Sequence, residues 1–123
     1  MRILKANKKL PVYLDGRFSI YVIDYGDEDY SIAKLKKVKE GISYTELQIF
    51  DGTKNAYKAS GIEVTRKIRT RPMRITENQY IKIGDQVYKV ENAVTALNAS
   101  GFLETDITMS NYTESHILEV EQG

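Results

Sequence analysis

The chain has 123 residues, 41% hydrophobic and 28% charged, with a formal net charge of +1. Such a composition describes one ordinary globular domain, large enough to bury a core unaided. It contains no cysteine, which excludes disulfides, thiol nucleophiles and cysteine metal sites, and no apolar run approaches the roughly 20 residues of a membrane helix, so no membrane partner is expected.

The near-neutral total hides a split. Residues 1–89 hold all 18 Lys and Arg against 11 Asp and Glu, a net +7, whereas 90–123 hold six acids and no base, a net −6. Opposite charges on one subunit suit head-to-tail contacts between copies, and they suit pairing within a monomer equally well. Chance scatter of solvated charges gives the same totals.

The start, MRILKANKKLPVYLD, is basic but lacks the apolar run and cleavage site of a signal peptide. Synthesis in the cytoplasm is expected, with 1–15 as a flexible arm. RFSIYVIDY (17–25) is rich in β-branched and aromatic residues and reads as a strand, turning at Gly26 to Asp29. Residues 30–39 fit a helix lined by Ile32, Ala33 and Leu35, or a second strand. ISYTELQIF (42–50) reads as a strand with Leu47 and Ile49 on one face. DGTKNAYKASG (51–61) is a glycine-bounded loop with at most one helical turn near Asn55 to Ala59.

From Ile62 to Thr70 the residues alternate, with Ile62, Val64 and Ile68 on one face and Glu63, Thr65, Lys67, Arg69 and Arg71 on the other. Arg66 interrupts the apolar face and must either reach the rim or pair with an acid. Pro72 has no backbone donor and ends the ladder. Next, YIKI-GD-QVYKV reads as a hairpin with a type II′ turn at Gly84-Asp85. That register sets Ile83 opposite Gln86 and Ile81 opposite Tyr88. Ile81, Ile83, Tyr88 and Val90 then form a core face with Ile68, and Tyr80, Lys82, Val87 and Lys89 face outward. FLETDITM (102–109) alternates again, and 111–123 is a polar, acidic tail expected to fray. Five to seven short strands with few helices define an all-β chain. The expected fold is a single small β-barrel or sandwich over 1–123, with long loops and at most a short helix.

Catalysis is not expected. The single histidine, His116, lies in a polar stretch near the end, and the chain has no nucleophile elbow, P-loop or zinc-protease motif. No catalytic residue, metal or cofactor is assigned. The acids Asp24, Asp27, Glu28 and Asp29 lack EF-hand spacing and read as a solvated hairpin tip. A basic face has more to recommend it. Lys67, Arg69 and Arg71, with Tyr80, Lys82 and Lys89 on the next hairpin, resemble the phosphate-plus-stacking surface of an OB-like module for single-stranded nucleic acid. The same residues also suit a solvated outer face that blunts strand edges.

The order of these features resembles the head closure, or head–tail joining, family of tailed bacteriophages. The residues that carry the likeness are Ile68-Arg69, Ile75-Thr76 and the hairpin Gly84-Asp85-Gln86-Val87-Tyr88-Lys89-Val90, within 42–110. The resemblance implies a non-enzymatic virion protein at the head–tail interface, assembled in the bacterial cytoplasm. It implies a β-barrel subunit of a homo-oligomeric ring, expected to be a dodecamer. That ring seals the capsid exit after DNA packaging, between a portal adaptor and the tail. A loop of each subunit narrows the channel and meets the packaged DNA. The corresponding residues here are Asp51, Gly52, Thr53, Lys54, Asn55, Tyr57, Lys58 and Gly61. On composition alone that segment is an ordinary exposed loop. Lys67, Arg69, Arg71, Arg74 and Tyr80 are the candidate contacts to a neighbouring subunit or to DNA. Neighbouring roles, adaptor or tail terminator, fit the same resemblance.

Overall fold

The computed structural model describes residues 10–24, 34–76, 78–112 and 119–120. The turn read at Gly26 to Asp29, His116 and most of the two terminal segments lie outside them. The elements are β1 (Gly16–Asp24), β2 (Lys34–Leu47), α1 (Asp51–Lys58), β3 (Val64–Thr70), β4 (Gln79–Ile83), β5 (Gln86–Leu97), β6 (Leu103–Asn111) and β7 (Glu119–Val120).

Six of the strands close on themselves. The order is β1-β4-β5-β6-β3-β2, and β2 pairs back onto β1, so the sheet is an antiparallel β-barrel. β7 adds a short parallel pairing to the start of β2, with Lys34 opposite Glu119 and Leu35 opposite Val120. β4, β1, β2 and β3 lie side by side in the order of a Greek key. The barrel thus consists of two three-strand meanders joined by the connection from β3 to β4, residues 71–78, which crosses one end.

Alternation decides which residues fill the interior. Phe18 and Ile20 of β1, Ile42 and Tyr44 of β2, Ile68 of β3, Ile81 of β4, Tyr88 and Val90 of β5, and Ile107 and Met109 of β6 form one buried cluster. Ile83, read as core, is only half-buried and packs at the margin of this cluster. The hairpin register is as the turn chemistry requires, Ile83 opposite Gln86 and Ile81 opposite Tyr88. Gly84 has φ of 60°, and among the described residues no non-glycine residue has positive φ. A type I′ turn needs positive φ at both central positions, so the turn is type II′.

Of the two readings open for 30–39, the described residues 34–39 take the strand, and they run on through 42–47 as one long strand bent by two irregularities in its ladder with β1. Two expectations change. The strand expected at 42–50 ends at Leu47, and its core face is Ile42 and Tyr44; Leu47 and Ile49 lie outside the barrel core. Residues 10–15 are held in place. Asp15 N–H donates to Tyr44 O, Thr45 Oγ1 donates to Val12 O at 3.3 Å, and Glu46 N–H donates to Asp15 Oδ2 at 2.7 Å. The arm read as flexible is therefore laid down against β2 over these residues.

The crossover is pinned by a buried threonine. Met73 N–H donates to Thr105 Oγ1 at 3.0 Å, and the Thr105 hydroxyl returns to Met73 O at 3.2 Å. One hydroxyl carries one proton, so the 2.6 Å bond between Thr95 and Thr105 has Thr95 as donor. Thr105 is 1% exposed, and three polar groups converge on it.

Candidate functional site

The segment read as a channel loop is a helix. Asp51, Gly52, Thr53, Lys54, Asn55, Tyr57 and Lys58 all lie on α1, which begins at Phe50 with no side-chain cap. Thr53 and Lys54 N–H both bond to Phe50 O. At its other end Gly61 N–H bonds to Lys58 O and Ile62 N–H bonds to Tyr57 O, while Gly61 has φ of 80°. This is a Schellman closure, in which glycine takes the left-handed conformation after the helix. Gly61 is thus a helix stop, not the far boundary of a loop, and Gly52 sits inside the first turn. Propensity argued for a loop because Gly, Thr and Asn are weak helix formers; the closure supplies partners that propensity does not count.

No residue of α1 is buried, and only Thr53 and Tyr57, four apart on one face, are half-buried. Lys54, Asn55 and Lys58 line an open cleft of about 480 Å³ between the helix and Ile62, Glu63 and Val64 at the start of β3. The β2–β3 connection therefore carries a solvent-facing helix on which Lys54 and Lys58 are exposed, with Asp51 and Glu63 balancing their charge over the whole connection.

The basic face read across β3 and the next hairpin does not assemble. β3 and β4 are three strands apart around the barrel, because residues 71–78 cross its end instead of folding back as a hairpin. Tyr80, read as an outward stacking residue, is 8% exposed. It packs with Tyr21 and Leu35 in a second apolar cluster, and its ring lies 4.7 Å from that of Tyr112. Tyr21 pairs opposite Tyr80 in the β1–β4 ladder, and Tyr112 N–H bonds to Val87 O, which carries the second ring over the first. Lys67 is half-buried on β3, whereas Arg71 and Arg74 are exposed, Arg74 on the crossover.

Arg69 is occupied within the subunit. Its Nε and Nη2 donate to the two carboxylate oxygens of Asp106 at 2.7 and 3.0 Å, a bidentate pair across the β3–β6 ladder. Glu104 is 4.0 Å away and 8% exposed. Glu104 also accepts from Tyr13 Oη at 2.7 Å and from Asn98 Nδ2 at 2.8 Å. The hydrogen bond to Asp106 raises the Arg69 pKa against the effect of burial. Burial, followed by the bond to Glu104, raises that of Tyr13. Part of the sequence-wide charge split is therefore satisfied inside one monomer, acidic β6 against basic β3.

Arg66 takes both routes open to it. Its guanidinium pairs with Glu46 at 2.9 Å and donates to the Tyr88 and Tyr44 hydroxyls at 3.1 and 3.0 Å. It lies 5.6 Å from each ring centroid. Burial opposes its charge, but the bonds to Glu46 and Tyr88 outweigh that, and its pKa is raised.

Sequence reasoning missed Tyr13, Asn98 and Glu104 as a cluster, because the arm, the β5–β6 turn and β6 meet only in the fold. It also missed that β5 runs on to Leu97. The run from Asn92 to Leu103 has no charged residue, in a chain with 35, and that was a readable signal. Among the described residues no group of three or more His, Asp or Glu is placed to hold a metal ion. No protein-family model matches the chain, and no curated protein matches it.

Proposed function

We propose that this chain is a structural subunit of a ring at the head–tail interface of a tailed bacteriophage, acting without catalysis. The ring, a dodecamer by resemblance, seals the capsid exit after DNA packaging and joins a portal adaptor to the tail. One observation carries the reading. The β2–β3 connection, where the resemblance expects a channel-facing element, leaves the closed barrel as a helix with no buried residue. Lys54 and Lys58 on that helix face solvent and present positive charge suited to DNA phosphates in the channel. A helix with a capped end narrows a channel as a stiff protrusion, whereas a hinged loop would do so as a flap.

The competing OB-like reading loses support on two counts. Arg69 is engaged by Asp106, and Tyr80 is buried on the far side of the barrel from β3. The adaptor and tail-terminator readings differ from head closure only in the partner engaged.

The test adds the purified protein to DNA-filled, tailless heads of the phage that encodes it and measures nuclease-accessible DNA. Closure predicts retention of DNA and a ring visible by electron microscopy. The chain has no cysteine, so a Lys54→Cys variant reports neighbouring α1 helices by oxidative cross-linking into a ladder of multimers. Failure to bind heads or to hold back DNA refutes closure, and binding to the tail alone reassigns the role to the tail side.

A further inference from the structure

β5 continues past the barrel on one side only. Its pairing with β4 ends at Lys89 opposite Tyr80, whereas β6 stays paired to it as far as Leu103 opposite Leu97. From Asn92 to Leu97, one edge of β5 therefore carries no strand among the described residues. The nearby backbone bonds, such as Asn98 N–H to Phe102 O, only close the hairpin. In an antiparallel ladder alternate residues turn their N–H and C=O to opposite sides, so about three residues of this stretch present both groups outward.

A second edge gives the comparison. Among the described residues β2 pairs with β3 only through Thr45 to Leu47 and with β7 only through Lys34 and Leu35. Between these, that side of β2 carries Lys36, Lys37 and Lys39. Edge lysines resist strand addition, because pairing would bury their charge. The β5 edge has no such protection. Asn92 to Leu103 is uncharged, and Val94, Leu97 and Leu103 are 50%, 67% and 50% exposed.

We propose that the Asn92–Leu97 edge of β5 pairs antiparallel with the same edge of a second copy, about a two-fold axis near Val94 and Thr95. Outward N–H and C=O groups demand an extended strand as partner. Two-fold pairing sets each edge against itself, so any charge on it would repel its own image, and this edge carries none. Asn92 to Leu97 itself offers no counter-charge to a strongly charged strand, and the Arg69, Asp106 and Glu104 side chains beside it already face one another. The joined hairpins make a continuous sheet, leave neither β5 edge open and stop at two copies. This contact is isologous and so differs from the head-to-tail contact of a ring; it does not depend on the channel reading.

The test is the mass of the full chain in solution over a range of concentrations, by light scattering or sedimentation. Wild type should dimerise, with amide exchange at Asn92 to Leu97 slowing as the dimer fills. The double variant Val94→Lys with Leu97→Lys should weaken self-association at least tenfold, as should Val94→Glu with Leu97→Glu. An equimolar mixture of the two should regain a dimer, which also shows that both are folded. A wild type that stays monomeric overturns the proposal. So do a lysine variant that dimerises like wild type, a mixture that stays monomeric, and rings in place of pairs.

Discussion

Thr105→Val changes one hydroxyl for a methyl in a site that is 1% exposed, so shape is kept and only hydrogen bonding is lost. Met73 N–H, at 3.0 Å, loses its acceptor, and Thr95, at 2.6 Å, loses its own. Thr95 is exposed and turns to water, so the cost lies mainly in the Met73 amide. A buried donor left without a partner costs about 1–3 kcal/mol. A domain of 123 residues loses about 4 °C in Tm per kcal/mol, so about 2 kcal/mol lowers Tm by about 8 °C. Thr105→Ser keeps the hydroxyl and removes one buried methyl, about 1 kcal/mol, so it should fall by about half as much. Calorimetry of the three proteins checks the order, and amide exchange at Met73 should speed up more in the valine variant than in the serine one. If serine proves worse than valine, or valine matches wild type, the crossover is not held by this hydroxyl and the account of how the two meanders are joined fails.

Arg66→Met strands two tyrosine hydroxyls and a carboxylate. The exposed Glu46 pair contributes less than about 1 kcal/mol, and the hydroxyl and ring contacts bring the loss to about 2 kcal/mol. Urea denaturation should show this, and salt near about 0.5 M should reproduce only a minor part of it in wild type. Tyr13→Phe tests the latch on Glu104. The raised Tyr13 pKa means the folded state holds the phenolic proton more tightly than the unfolded chain. Its contribution is therefore full below the ordinary tyrosine value of about 10 and is lost as pH rises above it. The difference in stability between wild type and Tyr13→Phe should shrink between pH about 9 and pH about 12, and a constant difference would rule the latch out. Asn55→Pro breaks α1, but because no residue of the helix is fully buried it melts locally. Far-UV circular dichroism should lose helix while Tm falls by less than about 4 °C; a larger fall would mean that α1 is part of the barrel's stability.

The sequence by itself determined the chemistry that is local in the chain. Period-two alternation placed Ile68, Ile81, Tyr88 and Val90 on the core side, and Gly84-Asp85 dictated a two-residue turn and hence the register around it, because both depend on neighbours a few residues apart. It also carried the uncharged run from Asn92 to Leu103. What only the tertiary structure decided is everything that depends on which strands become neighbours. The 71–78 connection crosses the barrel end, so β3 meets acidic β6 instead of β4. Arg69 thereby meets Asp106, and Tyr80 is shut beneath Tyr112. Among the described residues, the same closure leaves one side of β5 without a neighbouring strand from Asn92 to Leu97. Alternation specifies which face of a strand points inward, but it is indifferent to which strand lies alongside, and that choice follows from closing the sheet with the fewest exposed edges.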